Sequence, residues 1–355
     1  MTNPSKIDIR SLRLEELTAR LAEWGEPAYR ARQVYEWLWN KGATQLSDMT
    51  NLSLALRNRL EEHFEIRNVK VQHSQFSKDG TIKNALTLHD GLVVESVMIP
   101  TPTRITACVS SQVGCSLGCT FCATARMKRM RNLNPDEIYD QVVAIQKQAQ
   151  ETLGRPLTNI VFMGMGEPLL NYRNTMEAIE KITSPQGLGL SPRRITVSTA
   201  GVAKMIRQMA DEKVRFKLAL SLHSAIESKR SRLMPINETN TLADLEAALD
   251  YWYQQTRSRV TLEYVVWEGV NDGEEDVRAL VRFARKFPSK VNLIEYNSVG
   301  DDRLRQAHPS AIAAYTEALE AAGITCSFRR SRGRDIDAAC GQLANKGEAV
   351  VQKTS

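Results

Sequence analysis

What the chain lacks narrows its identity before any motif is read. No apolar run approaches the roughly 18 residues of a membrane span, and the opening MTNPSKIDIR has no apolar stretch of the secretory kind, so a cytoplasmic protein without a membrane partner is expected. Thiols stay reduced in that compartment and disulfides there are usually catalytic, which argues against a structural disulfide framework for the six cysteines. Paired CxxC units of a structural zinc site are missing too, because one close group of three cysteines exists and no second pair. At 355 residues, 42% apolar and 25% charged, the chain is no small scaffold in need of such staples; it can bury one large core and carry an accessory domain. A net charge of +6 and a pI near 9.0 favour a polyanionic partner without naming one.

What is present is organised around CSLGCTFC, residues 115 to 122. Thiolates at Cys115, Cys119 and Cys122 on one tight loop can hold three irons of a 4Fe-4S cube and leave the fourth open. An open iron is what a radical S-adenosylmethionine (SAM) enzyme needs. The amino and carboxylate groups of SAM chelate that iron, and reductive cleavage then yields a 5'-deoxyadenosyl radical. Phe121 is expected beside the SAM adenine, with Gly114 and Gly118 letting the loop bend.

Along the chain, residues 1–66 read as a small helical domain, with Leu14, Leu17 and Leu21 and then Val34, Trp37 and Leu38 at helical spacing. Arg30, Arg32, Lys41, Arg57 and Arg59 stud it; a solvated face is the plainer reading of these charges alone, and a surface that docks a polyanion is the other. Residues 67–100 change to a period of two, with Asp79-Gly80 and Asp90-Gly91 as turns, and predict a three-stranded meander acting as a linker. Its last strand, VVESVMIP, carries Glu95 between apolar neighbours, as either a buried ion pair or a site carboxylate.

From residue 101 to about 335, six strand patterns alternate with helical ones, which predicts an α/β fold: a partial (β/α)6 barrel followed by a C-terminal segment, 336–355. Ligands then belong at the carboxyl ends of the strands. There the chain places the cysteine loop, Gly164-Met165-Gly166-Glu167-Pro168, Ser198, Ser221, His223 and Asn297. Glu167 is a candidate for the SAM ammonium, and the serines and Asn297 for its ribose and carboxylate.

The runs CVSSQVGCSLGCTFCAT, FMGMGEPLLNY, VSTAG, LALSLH, MPIN, GVND and SRGRDIDAACGQL resemble the RlmN and Cfr family of radical SAM RNA methyltransferases over nearly the whole chain, the set being closer to RlmN. The resemblance implies methylation of carbon 2 of an adenosine in 23S rRNA and of the adenosine after the anticodon in tRNA; Cfr-type enzymes act on carbon 8 of the same rRNA base. It implies SAM contacts at Gly166, Glu167, Ser198, Ser221, Leu222, His223 and Asn297, and a methyl-accepting role for Cys340. Cys108 is implied as the thiol that resolves a protein–RNA adduct and is left in a disulfide with Cys340, to be reset by an external thiol reductant; a separate electron donor serves the cluster. Glu95 matches the family's proton acceptor. Cys326 has no matching role and is left in the core.

One departure concerns CATARMKRMRNL: Ala125 stands where the family usually has glycine, followed by Arg126, Lys128, Arg129 and Arg131 as candidate phosphate contacts. A second basic run, Arg329, Arg330, Arg332 and Arg334, precedes Cys340. Two other readings remain: a radical SAM enzyme with a non-RNA substrate, and a basic RNA-binding module whose metal is structural.

Overall fold

A computed structural model of the chain describes residues 6–300 and 303–345; the first five residues of the expected helical domain and the last ten of the expected C-terminal segment lie outside the described residues. Three helices, α1 (Leu14–Glu23), α2 (Ala28–Trp39) and α3 (Leu54–His63), bury Leu17, Leu21, Val34, Leu38, Leu56 and Leu60 against one another. A short parallel pair, β1 (Ile7–Asp8) with β2 (Phe64–Glu65), closes this unit on itself. Arg10 fastens it to the rest: its buried guanidinium bonds Asp140 Oδ1 at 2.7 Å and Asp136 Oδ2 at 3.3 Å, both on α4 (Pro135–Leu153).

The meander strands β3 (Lys70–Phe76), β4 (Ile82–Thr87) and β5 (Val93–Pro100) form, and they do more than link. β5 pairs antiparallel with β6 (Ile105–Cys108), so the meander continues directly into the main sheet. Beyond β6, β7 (Gln112–Val113) and β8 (Arg131–Asn132) pair as a neck beneath the cysteine loop. The chain then alternates: α4, β9 (Asn159–Phe162), α5 (Tyr172–Thr183), β10 (Ile195–Thr199), α6 (Ala203–Asp211), β11 (Lys217–Ser221), α7 (Glu227–Leu233), α8 (Leu242–Thr256), β12 (Val260–Val265), α9 (Glu274–Ala284), β13 (Ser289–Ile294), α10 (Pro309–Ala321) and β14 (Thr325–Arg329). The start of α4 follows its sequence signals: Pro135 opens the helix, and Glu137 Oε2 reaches back to accept the Asn134 N–H at 2.9 Å.

In the ten-stranded sheet, the seven strands from β6 through β9 to β14 run parallel. Six β/α units are therefore present as expected, with β14 as a seventh strand that the sequence conceals. Its residues are largely exposed, so the chain there shows no buried alternation to read, and Cys326 sits half-buried on this strand, packed against the margin of the core. Central strands such as β12 are buried along their whole length, as parallel strands covered on both faces must be.

The segment after β14 crosses back to the other edge of the sheet. Asp335 accepts from the Ser77 hydroxyl at 2.6 Å and the Lys78 N–H at 3.1 Å, and Asp79 accepts the Gly333 N–H at 2.9 Å. This strap carries Cys340 across the open side of the half-barrel. Among the described residues no helix is long and apolar enough to cross a membrane.

Candidate active site

The carboxyl ends of the parallel strands surround an open cavity of about 1070 Å³, lined by Cys115, Cys119, Phe121, Cys122, Gly166, Glu167, Ser198, Ser221, His223, Asn297 and Cys340. Residues spread over 226 positions of sequence thus share one space.

The loop's shape follows from Gly114, whose φ is +75°; a Cβ there would run into the Lys128 carbonyl, so only glycine lets the neck close. Burial pushes the Cys115 thiol up to about 11, and raises Cys119 further. Among the described residues no three His, Cys, Asp or Glu side chains lie close enough to hold a single metal ion. Three thiols lining one cavity fit a 4Fe-4S cube with one iron left open, and are one short of the four protein ligands that a structural zinc takes.

Glu167 is buried, its Oε2 accepting the Ala200 N–H at 2.8 Å and its Oε1 the Leu169 N–H at 3.0 Å; burial pushes its carboxyl up to about 7 in spite of these bonds. It is held in place by Gly166 at φ +91°, where a Cβ would strike Gln112, whose own Oε1 accepts the Glu167 N–H at 2.9 Å. Ser198 and Ser221, on adjacent strands, bring their hydroxyls to 3.4 Å of each other. The Asn297 Oδ1 is buried with no partner, an acceptor directed at the cavity that a bound amine or hydroxyl satisfies. These features fit SAM.

His223 adopts φ +56°, an uncommon conformation for a side chain of its size. Its Nδ1 accepts the Val265 N–H at 3.2 Å, while its carbonyl accepts from Asn271 Nδ2 at 2.7 Å. Burial, reinforced by Arg230, pushes the imidazole down to about 3, so it is neutral. Its ring meets Phe121 edge-on at 4.7 Å, and Trp267 lies 5.1 Å from Phe121. Phe121, His223, Trp267 and Tyr296 together form an aromatic wall.

Three expected site residues sit elsewhere. The Leu222 side chain is fully buried in the core because successive strand residues alternate faces; its N–H and carbonyl are also taken, by Glu263 O and Arg230 Nε. Glu95 is 3% exposed and off the cavity: Lys83 Nζ lies 3.3 Å from Oε1, while Oε2 accepts the Ala344 and Asn345 N–H groups at 2.8 and 3.2 Å. It is a buried ion pair that grips the strap just past Cys340. Cys108, at the end of β6, lines a smaller cavity rimmed by Arg329, Arg330 and Arg332. Cys340 lines both cavities and so stands on the boundary between them.

The opposite side of the strap is bonded to the cysteine loop, with Gly341 O accepting the Ala123 N–H at 2.7 Å and Leu343 O accepting the Thr124 hydroxyl at 2.6 Å. Against the implied Cys108–Cys340 disulfide, all six cysteines are free thiols in this structure. Burial raises the Cys108 thiol, with Arg329 opposing the shift, whereas Cys340 is exposed on the strap. Arg131 also departs from expectation: it bonds Glu137 at 2.7 Å and Asp90 at 2.6 Å, and so is committed to structure rather than to phosphate.

Sequence reasoning missed Glu263, Trp267 and Tyr296. All lie on or just after β12 and β13, a position relative to strand ends that marks them once the strands are known. It also missed Arg230 on α7, fully buried beneath the cavity, which burial pushes down to about 10.

A parallel half-barrel with three cysteines looped over the carboxyl end of its first strand defines a radical SAM enzyme, and residues 109–284 match the Radical SAM superfamily. Residues 7–66 match the Ribosomal RNA large subunit methyltransferase N-terminal domain. The chain is 60% identical over 341 residues to the "Probable dual-specificity RNA methyltransferase RlmN" of Flavobacterium psychrophilum, covering 96% of this chain and 98% of that one. It is 45% identical to the "Dual-specificity RNA methyltransferase RlmN" of an Anaeromyxobacter species over 96% of this chain and 91% of the other. A crystal structure of a radical SAM methyltransferase from Sphaerobacter thermophilus superposes with a TM-score of 0.89 at 40% identity, covering 95% of this chain and 99% of that one. The chain belongs to the RlmN family of dual-specificity radical SAM RNA methyltransferases. Membership implies a 4Fe-4S cluster and SAM as cofactors.

Proposed function

We propose that this enzyme methylates carbon 2 of an adenosine in 23S rRNA and of the adenosine following the anticodon in tRNA, through an S-methylcysteine at Cys340 and two SAM molecules used in turn. The observation that carries the reading is that Cys340 borders both the cavity lined by the three loop cysteines and the arginine-rimmed cavity containing Cys108. A methyl group taken up on one side can then be delivered on the other.

Carbon 2 of adenine carries no acidic proton and offers no electron pair to an electrophilic methyl group, so a radical route is required. When bound, the cluster and SAM supply a 5'-deoxyadenosyl radical that removes a hydrogen atom. Cys115, Cys119 and Cys122 hold the cluster; Glu167, Ser198, Ser221 and Asn297 orient SAM, and Phe121 flanks its adenine. Cys340 takes a methyl from one SAM by displacement and carries it; after hydrogen loss that carbon bonds to the base. The adduct must give up one electron, for which the cluster, oxidised when SAM is cleaved, would be the acceptor. Loss of the carbon 2 proton and attack by the Cys108 thiolate on the Cys340 sulfur then break the S–C bond, whose electron pair stays with the carbon that takes a proton to become methyl. An external thiol reduces the resulting disulfide. Glu95 acts by holding the strap, and the helical domain docks RNA. A base within a loop is open to such attack once unstacked.

The test is mass spectrometry of nucleosides from 23S rRNA and tRNA treated with anaerobically reconstituted enzyme. 2-Methyladenosine is expected in both, with Cys340→Ala inactive and Cys108→Ala trapped as a protein–RNA adduct. 8-Methyladenosine, or normal product release by Cys108→Ala, overturns the assignment.

A further inference from the structure

Arg230 is a buried cation with no carboxylate in direct contact among the described residues. Its side chain is fully buried and donates only to neutral oxygens: Asn237 Oδ1 at 2.6 Å, Ala200 O at 2.6 Å, Leu222 O at 3.2 Å and Ser221 O at 3.4 Å. Among the described residues it makes no salt bridge. Glu227 reaches it only through the Asn237 amide, its Oε1 accepting from Asn237 Nδ2 at 2.6 Å while its Oε2 accepts the Leu242 N–H at 3.1 Å. Burying an unpaired cation is among the costliest arrangements a fold can hold. Carbonyl dipoles offset part of that cost, and a missing anion is the simplest source of the rest.

The position of Arg230 indicates which anion. The two acidic groups whose charge reaches it are the Cys119 thiol and Glu227. Its helix, α7, is fastened to the cysteine loop, since Leu233 O accepts the Thr120 N–H at 3.0 Å, immediately after Cys119. The Ala200 and Ser221 carbonyls it grips end the strands that line the cavity. A 4Fe-4S core on three thiolates is net anionic, and gains another negative charge when an external donor reduces it.

We propose that Arg230 is the charge partner of the cluster: a positioning residue whose buried guanidinium balances the loop's thiolates and favours the reduced, more negative state. This rests on the reading that Cys115, Cys119 and Cys122 hold a 4Fe-4S cluster. A nearby cation stabilises the reduced state more than the oxidised one, so its removal lowers the reduction potential.

The experiment is an EPR-monitored redox titration of the anaerobically reconstituted full chain, without SAM or RNA, for wild type, Arg230→Met and Arg230→Lys. At the wild-type midpoint, Arg230→Met is expected to show a reduced-to-oxidised ratio at least tenfold lower, about 59 mV for a one-electron couple. Arg230→Lys keeps the charge and stays near wild type, although it loses hydrogen bonds. A purely structural role predicts that both variants lose stability while their folded fractions keep the wild-type midpoint, and that result overturns the proposal. If Arg230→Met does not fold, Asn237→Asp carries the test by setting a carboxylate against the guanidinium in place; the same fall in ratio is expected, and an unchanged ratio is equally fatal. A wild-type chain that stays colourless and EPR-silent after reconstitution refutes instead the cluster reading beneath it.

Discussion

Glu95 offers the sharpest way to separate holding from proton transfer, because its carboxylate is engaged on both oxygens before any substrate arrives. Oε2 accepts two strap amides, at 2.8 and 3.2 Å, and Oε1 faces Lys83 Nζ at 3.3 Å. Hydrogen bonds to a charged acceptor contribute about 1.5–3 kcal/mol each. Two that share one oxygen are taken together at about 3 kcal/mol, or roughly a hundredfold in the opening equilibrium. Glu95→Ala alone would also strand a buried ammonium, costing about 3–5 kcal/mol of global stability. The clean perturbation is therefore Glu95→Ala with Lys83→Met. In hydrogen exchange without SAM or RNA, the Ala344 and Asn345 amides of that double variant are expected to exchange about a hundredfold faster, with the barrel core unchanged. Glu95→Gln, which retains a neutral acceptor, should fall between, near tenfold. Methylation is expected to drop in step with strap opening. If amide protection at Ala344 and Asn345 is the same in wild type and the double variant, the strap is held by other contacts and the reasoning fails.

Replacing Arg10 with Met leaves Asp8, Asp136 and Asp140 buried without their cation. Burial and neighbouring carboxylates already push Asp136 up to about 7, so its contribution is lost as pH rises from the ordinary carboxylate range through 7. Urea denaturation should show Arg10→Met weaker by about 3–5 kcal/mol at pH 8 and by clearly less at pH 6; a deficit that does not depend on pH would rule this out. Exposed Lys128 and committed Arg131 should separate in RNA binding: Lys128→Ala is expected to reduce the salt slope of log Kd by about 0.9, as one lost phosphate contact does, whereas Arg131→Ala should leave the slope alone and lower Tm. Gly166→Ala, at φ +91° and against Gln112, should cost about 1–3 kcal/mol in unfolding and weaken SAM binding measured by calorimetry, through displacement of Glu167.

The elements that could be read beforehand were those whose signals are local. Cap and proline signals placed α4, and buried strands such as β9 to β13 showed as apolar runs, because each residue there answers to its own helix or sheet. β14 escaped because an exposed edge strand carries no such pattern, and α7 because only Arg230 and Leu233 of its seven residues are buried. Within the site, Phe121 was marked by the cysteine loop and Glu167 and Asn297 by their places at strand ends, while Trp267 and Tyr296 went unmarked because nothing local separates a site aromatic from a core one. Arg131 was misjudged because a basic residue looks the same in sequence whether it faces solvent or Glu137.

By itself, then, the sequence determined the chemistry and the fold class: a loop spanning eight residues carries its cysteine spacing wherever it is folded, and alternating apolar runs commit the chain to a parallel α/β sheet. Only the tertiary structure decided which distant groups meet. It seats Cys340 between two cavities, binds Glu95 to amides some 250 positions away, and buries Arg230 without a salt bridge among the described residues, on a helix bonded to the cysteine loop. Those relations depend on how the sheet curls and how the strap returns across its open side, and no short-range pattern in the chain encodes either.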